Sequence, residues 1–218
     1  MNKEEIKNKI IQLRKTINDH NYYYYVLNKP IISDYEFDIL LQELIEYEKN
    51  YPEFYDSFSP SQRVGGEITK NFNQIKHSTP MLSLGNTYSY EDIKDFDERI
   101  KKTIFKNYEY VCELKFDGLS VGLTYVNGKL KYAVTRGDGE QGDDITTNIK
   151  TIKSIPLQLN GDDFPAEFEI RGEIYMPHSS FIRLNKERVE NEELPFANPR
   201  NAASGSIKMQ DSKEVAKR

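Results

Sequence analysis

The chain contains no tryptophan and a single cysteine, Cys112, among its 218 residues. One thiol excludes a disulfide within the chain and any zinc site assembled from several cysteines. Cys112 sits in the strand-like run Tyr110-Val111-Cys112-Glu113-Leu114, which predicts a buried, inert thiol. The three histidines, His20, His77 and His178, are too scattered for a metal motif, and none is assigned to a metal. No run of about 18 apolar residues exists to span a membrane, and the N-terminus lacks a basic stretch followed by an apolar one. A cytoplasmic location without a membrane partner is therefore expected. Positive charge is short as well: 30 Lys and Arg against 35 Asp and Glu leave a formal charge of -5. Any contact with a polyphosphate backbone must then be local rather than a general electrostatic grip.

What is present suffices for folding. Hydrophobic residues make up 37%, with 15 Tyr and 11 Phe, enough apolar surface for a core. Ile6, Ile10, Leu13 and Ile17 recur at helical spacing, and Ser33 with Glu36 forms a capping box that opens a second helix. Phe37, Leu40, Leu41, Leu44 and Ile45 are the buried stripe of that helix, which should end before Pro52. The run from Ser57 to Ser61 reads as a linker closing a small helical domain over residues 1–68.

From about residue 70 the pattern changes, and residues 69–218 are expected to form a second domain. Ser89 and Asp92 cap a helix carrying Ile93, Phe96, Ile100 and Ile104. Residues 109–115, 119–126 and 129–136 read as strands, with Asn127-Gly128 as the turn of a tight hairpin. Between Ala166 and Met176 the residues Phe168, Ile170, Ile174 and Met176 alternate with Glu167, Glu169, Arg171, Glu173 and Tyr175. The charged face suits a wet sheet surface or the lining of a polar cleft equally well. The fold class is α+β, a small helical domain followed by a domain with antiparallel strands, which argues against an all-parallel nucleotide fold.

Chemistry concentrates in Glu113-Leu114-Lys115-Phe116-Asp117-Gly118, where strand alternation puts Glu113 and Lys115 on one face. An amine that attacks phosphorus must be neutral, and a lysine at its reference pKa of about 10.4 is only about one part in a thousand neutral near pH 7.4. Cations or burial lower such a pKa and carboxylates raise it, so Glu113 and Asp117 suit orientation or ligand contacts rather than activation. Taken by composition alone, Tyr22 to Tyr25 read as core and rim, and Gly137, Gly139 and Gly142 as a flexible turn rather than a phosphate cradle.

Lys115-Phe116-Asp117-Gly118 is followed in order by Thr135-Arg136-Gly137-Asp138-Gly139, Arg171-Gly172-Glu173 and Asn198-Pro199-Arg200-Asn201-Ala202-Ala203-Ser204-Gly205. Together with Ser61-Gln62-Arg63-Val64-Gly65, the His77 to Leu84 stretch and Gly142-Asp143-Asp144-Ile145-Thr146, this series resembles the NAD-dependent bacterial DNA ligase family over nearly the whole chain. The resemblance implies a helical domain that grips the nicotinamide mononucleotide half of NAD and a nucleotidyltransferase domain, incomplete here, that holds the AMP half.

Carried over by motif, Lys115 would be the nucleophile that becomes lysyl-AMP. Glu113 would lie by the adenine with backbone from the Met81 to Leu84 stretch, including Ser83 and Leu84. Asp117 and Glu173 would contact ribose or help position magnesium, and Arg136, Arg200 and Lys208 would meet phosphate or the DNA end. Where this chain has Lys208 most family members have Arg, so the bidentate fork is lost. Tyr22, Tyr24, Asp34, Phe37 and Asp38, with Glu36, match the nicotinamide-side pocket, whose aromatic faces and carboxylates suit a cationic ring. Tyr25 stands where a His is usual and Phe37 where a Tyr is usual.

The resemblance further implies nicked double-stranded DNA as the partner of the full-length protein. It also implies two more lysines beyond this chain, so weak or absent self-adenylation and an exposed sheet edge are expected of the piece alone. Two other readings stay open: an ATP-using nucleotidyltransferase, and a module that binds NAD or AMP without turnover.

Overall fold

The computed structural model describes residues 2–27, 31–63 and 71–218, without the side chains of Tyr25, Val26 and Asp34. The expected boundary between residues 68 and 69 lies outside the described residues.

Helix α1 spans Lys3–Asn21 and opens on a capping box between Asn2 and Glu5. It runs into a π-turn at Tyr22–Val26. Helix α2, Asp34–Asn50, begins with the expected Ser33 and Glu36 box. Ile6, Ile10, Leu13, Ile17 and Leu44 form the core between them, and Phe37, Leu40 and Leu41 pack around it. Ile45 stays 39% exposed at the edge of the stripe. At the far end Arg14 donates from Nε and Nη2 to Glu48 Oε1 at 2.8 and 2.6 Å.

Residues 57–61 are not the loose linker that their composition predicts. Pro60–Arg63 forms a short 3-10 turn, Ser59 is 1% exposed, and Ser61 donates to the Glu48 carboxylate. Arg63 then donates to the carbonyls of Lys150, Ile152 and Ile155 at 3.2, 3.2 and 3.1 Å, while Phe58 packs into the second core. The Ser61 hydroxyl thus fixes the turn to α2, and the Arg63 guanidinium closes the joint to the second unit.

The second unit contains two antiparallel sheets. Strands β1 (Gln74–Lys76) and β4 (Gln141–Asp143) pair, and β2 (Leu119–Val126), β3 (Lys129–Thr135) and β5 (Glu167–Ile174) order as β3-β2-β5. Asn127 and Gly128 have φ of 48° and 73° in the tight β2–β3 turn, as the Asn-Gly pair predicts. One face of the larger sheet buries Val121, Leu123, Tyr125, Leu130 and Ala133 against Ile145, Ile149, Ile207 and Val215. These last come from α4 (Thr146–Ile149), α6 (Pro199–Ile207), α7 (Ser212–Val215) and the residue before α4. Helix α5 (His178–Glu190) packs Leu184 with Met176, Ala202 and Ala203 in a third cluster.

Three expectations need correction. Residues 109–115 carry strand-like alternation yet join neither sheet, because no described strand lies alongside to complete a ladder. Cys112 is consequently exposed rather than buried, and Val111 and Leu114 are 85% and 82% exposed. Ile170 is 51% exposed although it shares the face of Phe168, since β5 is the edge strand.

Helix α3, Tyr90–Thr103, forms with the Ser89 and Asp92 box, but Ile93, Phe96 and Ile104 remain 54%, 43% and 42% exposed. It is held to the following segment by Asp97, which accepts from the hydroxyls of Tyr108 and Tyr110 at 2.7 Å each.

Candidate functional site

Glycine 118 explains how the Lys-x-Asp-Gly segment is anchored. A Cβ at Gly118 would lie 2.1 Å from the carbonyl oxygen of Ile174, so only glycine lets the chain press against the end of β5. The neighbouring Phe116 stacks on Tyr175 with ring centroids 5.1 Å apart and an 18° tilt. Asp117 Oδ1 pairs with Arg200 Nη1 at 3.7 Å. Glu173, on the polar face of β5, accepts from Ser120 Oγ at 2.8 Å. Glu113 and Lys115 are exposed just before this anchored turn.

Arg200 owes its position to the local sequence of α6. Asn198 caps the helix by accepting from Asn201 N at 2.8 Å, and Pro199 takes the first helical position, where a missing N–H costs nothing. Ala202 and Ala203 are buried, and a Cβ at Gly205 would meet the Phe196 ring at 2.8 Å. Lys208, at the other end of α6, pairs with Asp143 Oδ2 at 2.7 Å and so ties the helix to β4 rather than to Asp117.

A loop from His77 to Leu84 lies across the polar side of β5. Arg171 donates from Nη1 to Pro80 O at 3.0 Å and from Nε to Glu169 Oε1 at 2.8 Å. Ser78 Oγ donates to Glu169 Oε2 at 2.8 Å. Burial pushes the Glu169 carboxyl up, but hydrogen bonds from Arg171 and Ser78 and the charges of Arg171 and His77 outweigh it and hold it below the usual value. Part of the charged face of β5 thus lines a polar cleft, a space of about 370 Å³ that includes Ser78, Thr124, Glu167 and Glu169 but not Arg171 or Glu173. Arg136 Nη2 donates to Ser83 Oγ at 2.7 Å, which brings two expected site residues together, whereas Leu84 is 77% exposed.

The turn between β3 and β4 is set by its backbone. Gly137 and Gly139 have φ of 57° and 99°, and a Cβ on Gly137 would lie 1.9 Å from Gln141 O. Asp138 Oδ1 accepts from the N–H groups of Glu140 and Gln141 at 2.9 Å each, and these bonds hold its carboxyl below the usual range. Met81 N donates to Gly139 O at 2.8 Å, so this turn supports the loop that carries Ser83. The glycines serve a defined geometry, in place of the flexible turn expected.

A second cavity, of about 240 Å³, opens in the helical unit. The expected residues Tyr24, Phe37 and Asp38 line it. Tyr22 does not; it is 44% exposed and lies edge-on to Tyr23 with centroids 6.4 Å apart. The side chains of Asp34 and Tyr25 lie outside the described residues. His20 and Asn21 also line the cavity, and Lys153 reaches it from the second unit. None of the three was foreseen, although Asn21 extends the stripe Ile6, Ile10, Leu13, Ile17 by one step of four.

Among the described residues no three His, Cys, Asp or Glu side chains converge as a metal cage, and no helix is long and apolar enough to cross a membrane. A divalent ion in the polar cleft would thus depend on a ligand's phosphates with one or two carboxylates, the mode magnesium commonly uses.

Comparison with known proteins agrees with this organisation. Residues 3–65 match the family model described as the DNA ligase-like, N-terminal NAD+-binding domain. Residues 69–218 match the NAD-dependent DNA ligase adenylation domain. A DNA ligase of Christiangramia forsetii is 58% identical over 214 residues, covering 98% of this chain and 32% of the relative. DNA ligases of Cytophaga hutchinsonii and Bacteroides fragilis are 56% and 57% identical over 218 and 213 residues, again with 32% of each relative covered. The chain spans about a third of the length of these relatives, and it belongs to the NAD-dependent DNA ligase family.

Proposed function

We propose that this chain carries the first chemical step of a DNA ligase, the transfer of AMP from NAD to Lys115. The Lys115 Nζ attacks the phosphorus of the AMP half of NAD. An N–P bond forms, the P–O bond to nicotinamide mononucleotide breaks, that mononucleotide leaves and the amine loses its proton to solvent. In the full-length protein the AMP would pass to the 5′-phosphate of nicked double-stranded DNA and be displaced by the adjoining 3′-hydroxyl.

The observation that carries this reading is the seating of Phe116 to Gly118, directly after Lys115, at the end of β5, with Asp117 3.7 Å from Arg200. It supports a division in which residues 69–218 hold the AMP half and residues 1–68 the nicotinamide half. Glu113, Ser83 and Leu84 face the adenine, and Asp117 and Glu173 meet the ribose or a phosphate-bound magnesium ion. Arg136 and Arg200 stabilise phosphoryl charge through fixed, bidentate-capable donors. Lys208 acts as a cation toward DNA once its pairing with Asp143 is exchanged. In the helical cavity Tyr24, Phe37, Asp38 and Asp34, with Tyr22 at its approach, receive the cationic nicotinamide ring.

An ATP-using nucleotidyltransferase shares the Lys-x-Asp-Gly segment but has no use for an aromatic and acidic cavity in a preceding helical unit. The two readings separate in a single-turnover experiment with NAD or ATP as adenylate donor, followed by chromatography of the released product. Release of nicotinamide mononucleotide from NAD, with no pyrophosphate from ATP, is the expected outcome. Pyrophosphate release from ATP, without any reaction of NAD, would overturn the proposal.

A further inference from the structure

We propose that Ser120 is a positioning residue for Glu173, fixing that carboxylate with one oxygen left for the ligand and its charge intact, a proposal that rests on the NAD reading above. Ser120 and Glu173 are direct cross-strand partners in the antiparallel β2–β5 ladder. Opposed residues share a face of the sheet, so both side chains lie on its polar side, away from Val121 and Leu123 in the core. There Ser120 Oγ donates to Glu173 Oε2 at 2.8 Å, and Glu173 Oε1 has no hydrogen-bond partner among the described residues. The Ser120 carbonyl also accepts from Arg136 N at 3.2 Å. One residue of β2 thus joins Glu173 to the end of β3, where Arg136 stands.

The other partner open to Glu173 is a cation. Arg171 stands two residues earlier on the same face of β5. Its guanidinium is already committed, however: Nε donates to Glu169 Oε1 at 2.8 Å, Nη1 to Pro80 O at 3.0 Å, and Nη2 to Thr79 O. Glu173 is left to a neutral donor, and the distinction matters chemically. An arginine in contact would cancel the charge of the carboxylate. A hydroxyl fixes its direction and leaves the charge for a ribose hydroxyl or a phosphate-bound magnesium ion. A glutamate without a partner on a half-buried strand position samples several rotamers, and ordering it costs free energy whenever a ligand binds. The Ser120 bond orders it beforehand, which is preorganisation of the site. Ser120 itself touches no ligand in this account; its whole effect passes through Glu173.

The test is calorimetric binding of NAD, in the presence of magnesium, to the 218-residue chain and to Ser120→Ala, Ser120→Thr, Glu173→Ala and the double variant Ser120→Ala with Glu173→Ala. Ser120→Ala is expected to weaken NAD about fivefold, the worth of one ordinary hydrogen bond. Ser120→Thr keeps the hydroxyl on a strand position that suits a β-branched residue, and is expected to stay within about twofold of the parent. In the Glu173→Ala chain the further change Ser120→Ala is expected to do nothing, since the double-variant cycle isolates the coupling of the pair. Parent affinity in Ser120→Ala, a threonine variant as weak as the alanine one, or the same loss when Glu173 is already absent would overturn the proposal. If the parent binds NAD and Glu173→Ala binds it equally well, the assignment of Glu173 to the ligand falls, and this proposal with it. Failure of the parent to bind NAD would instead overturn the NAD reading itself.

Discussion

Gly118 shows how a motif residue can be read as geometry. Its missing side chain lets the backbone lie against Ile174, and the same contact holds Phe116 over Tyr175 and Asp117 beside Arg200. Gly118→Ala should therefore destabilise the chain by about 1–3 kcal/mol, as overpacking does elsewhere, and urea unfolding would measure it. An unchanged midpoint would mean that the close approach is absent in solution. The Lys115 turn and the Asn198 to Gly205 motif were legible in the sequence through their resemblance to a family, and the structure supplies the local reasons: a close backbone approach, an N-cap, a proline at the first helical position. His20, Asn21 and Lys153 were not, because their importance comes from a cavity between segments distant in the chain.

At the scale of elements, capping and periodicity served well for helices. Ser33 with Glu36 and Ser89 with Asp92 start α2 and α3 where the capping pattern put them. The β2–β3 hairpin followed from Asn127-Gly128 and alternation. Residues 109–115 failed the same logic, since alternation states which faces a strand would have and says nothing of whether a partner lies beside it. The joint at Pro60–Arg63 was misread for a related reason: Ser and Pro suggested a loose link, while the order comes from carbonyls about ninety residues further along, as the 87- to 92-residue separations of the Arg63 bonds record. Arg63→Ala strands those three acceptors at the joint. A loss of roughly 2–3 kcal/mol is expected from the charged hydrogen bonds removed, with faster amide exchange around 150–155 measured by mass spectrometry. Unaltered exchange there would show that Arg63 does not join the two units.

Over the whole molecule, a helical unit with its own core and a mixed unit with two antiparallel sheets were both visible in the pattern of the sequence. Their connection was not. Phe58 receives the ammonium groups of Lys129 and Lys150 at 5.1 and 5.6 Å from its ring centre, and burial lowers the pKa of Lys150. With Arg63, these contacts set the helical cavity close enough to the second unit for Lys153 to line it. The proposed holding of one dinucleotide by both units requires a joint of this kind. The exposed apolar side chains of α3 and of residues 111–114 leave a large face of the second unit uncovered.

The central claim is that Lys115 receives AMP from NAD. Intact mass spectrometry of the purified chain before and after incubation with NAD and magnesium, with Lys115→Ala in parallel, tests it most directly. The account predicts a small population heavier by one AMP in the parent, since weak self-adenylation is expected of the piece alone, and none in the variant. The same gain in Lys115→Ala would contradict it, and a parent that binds NAD and never changes mass would make the piece a binding module without turnover.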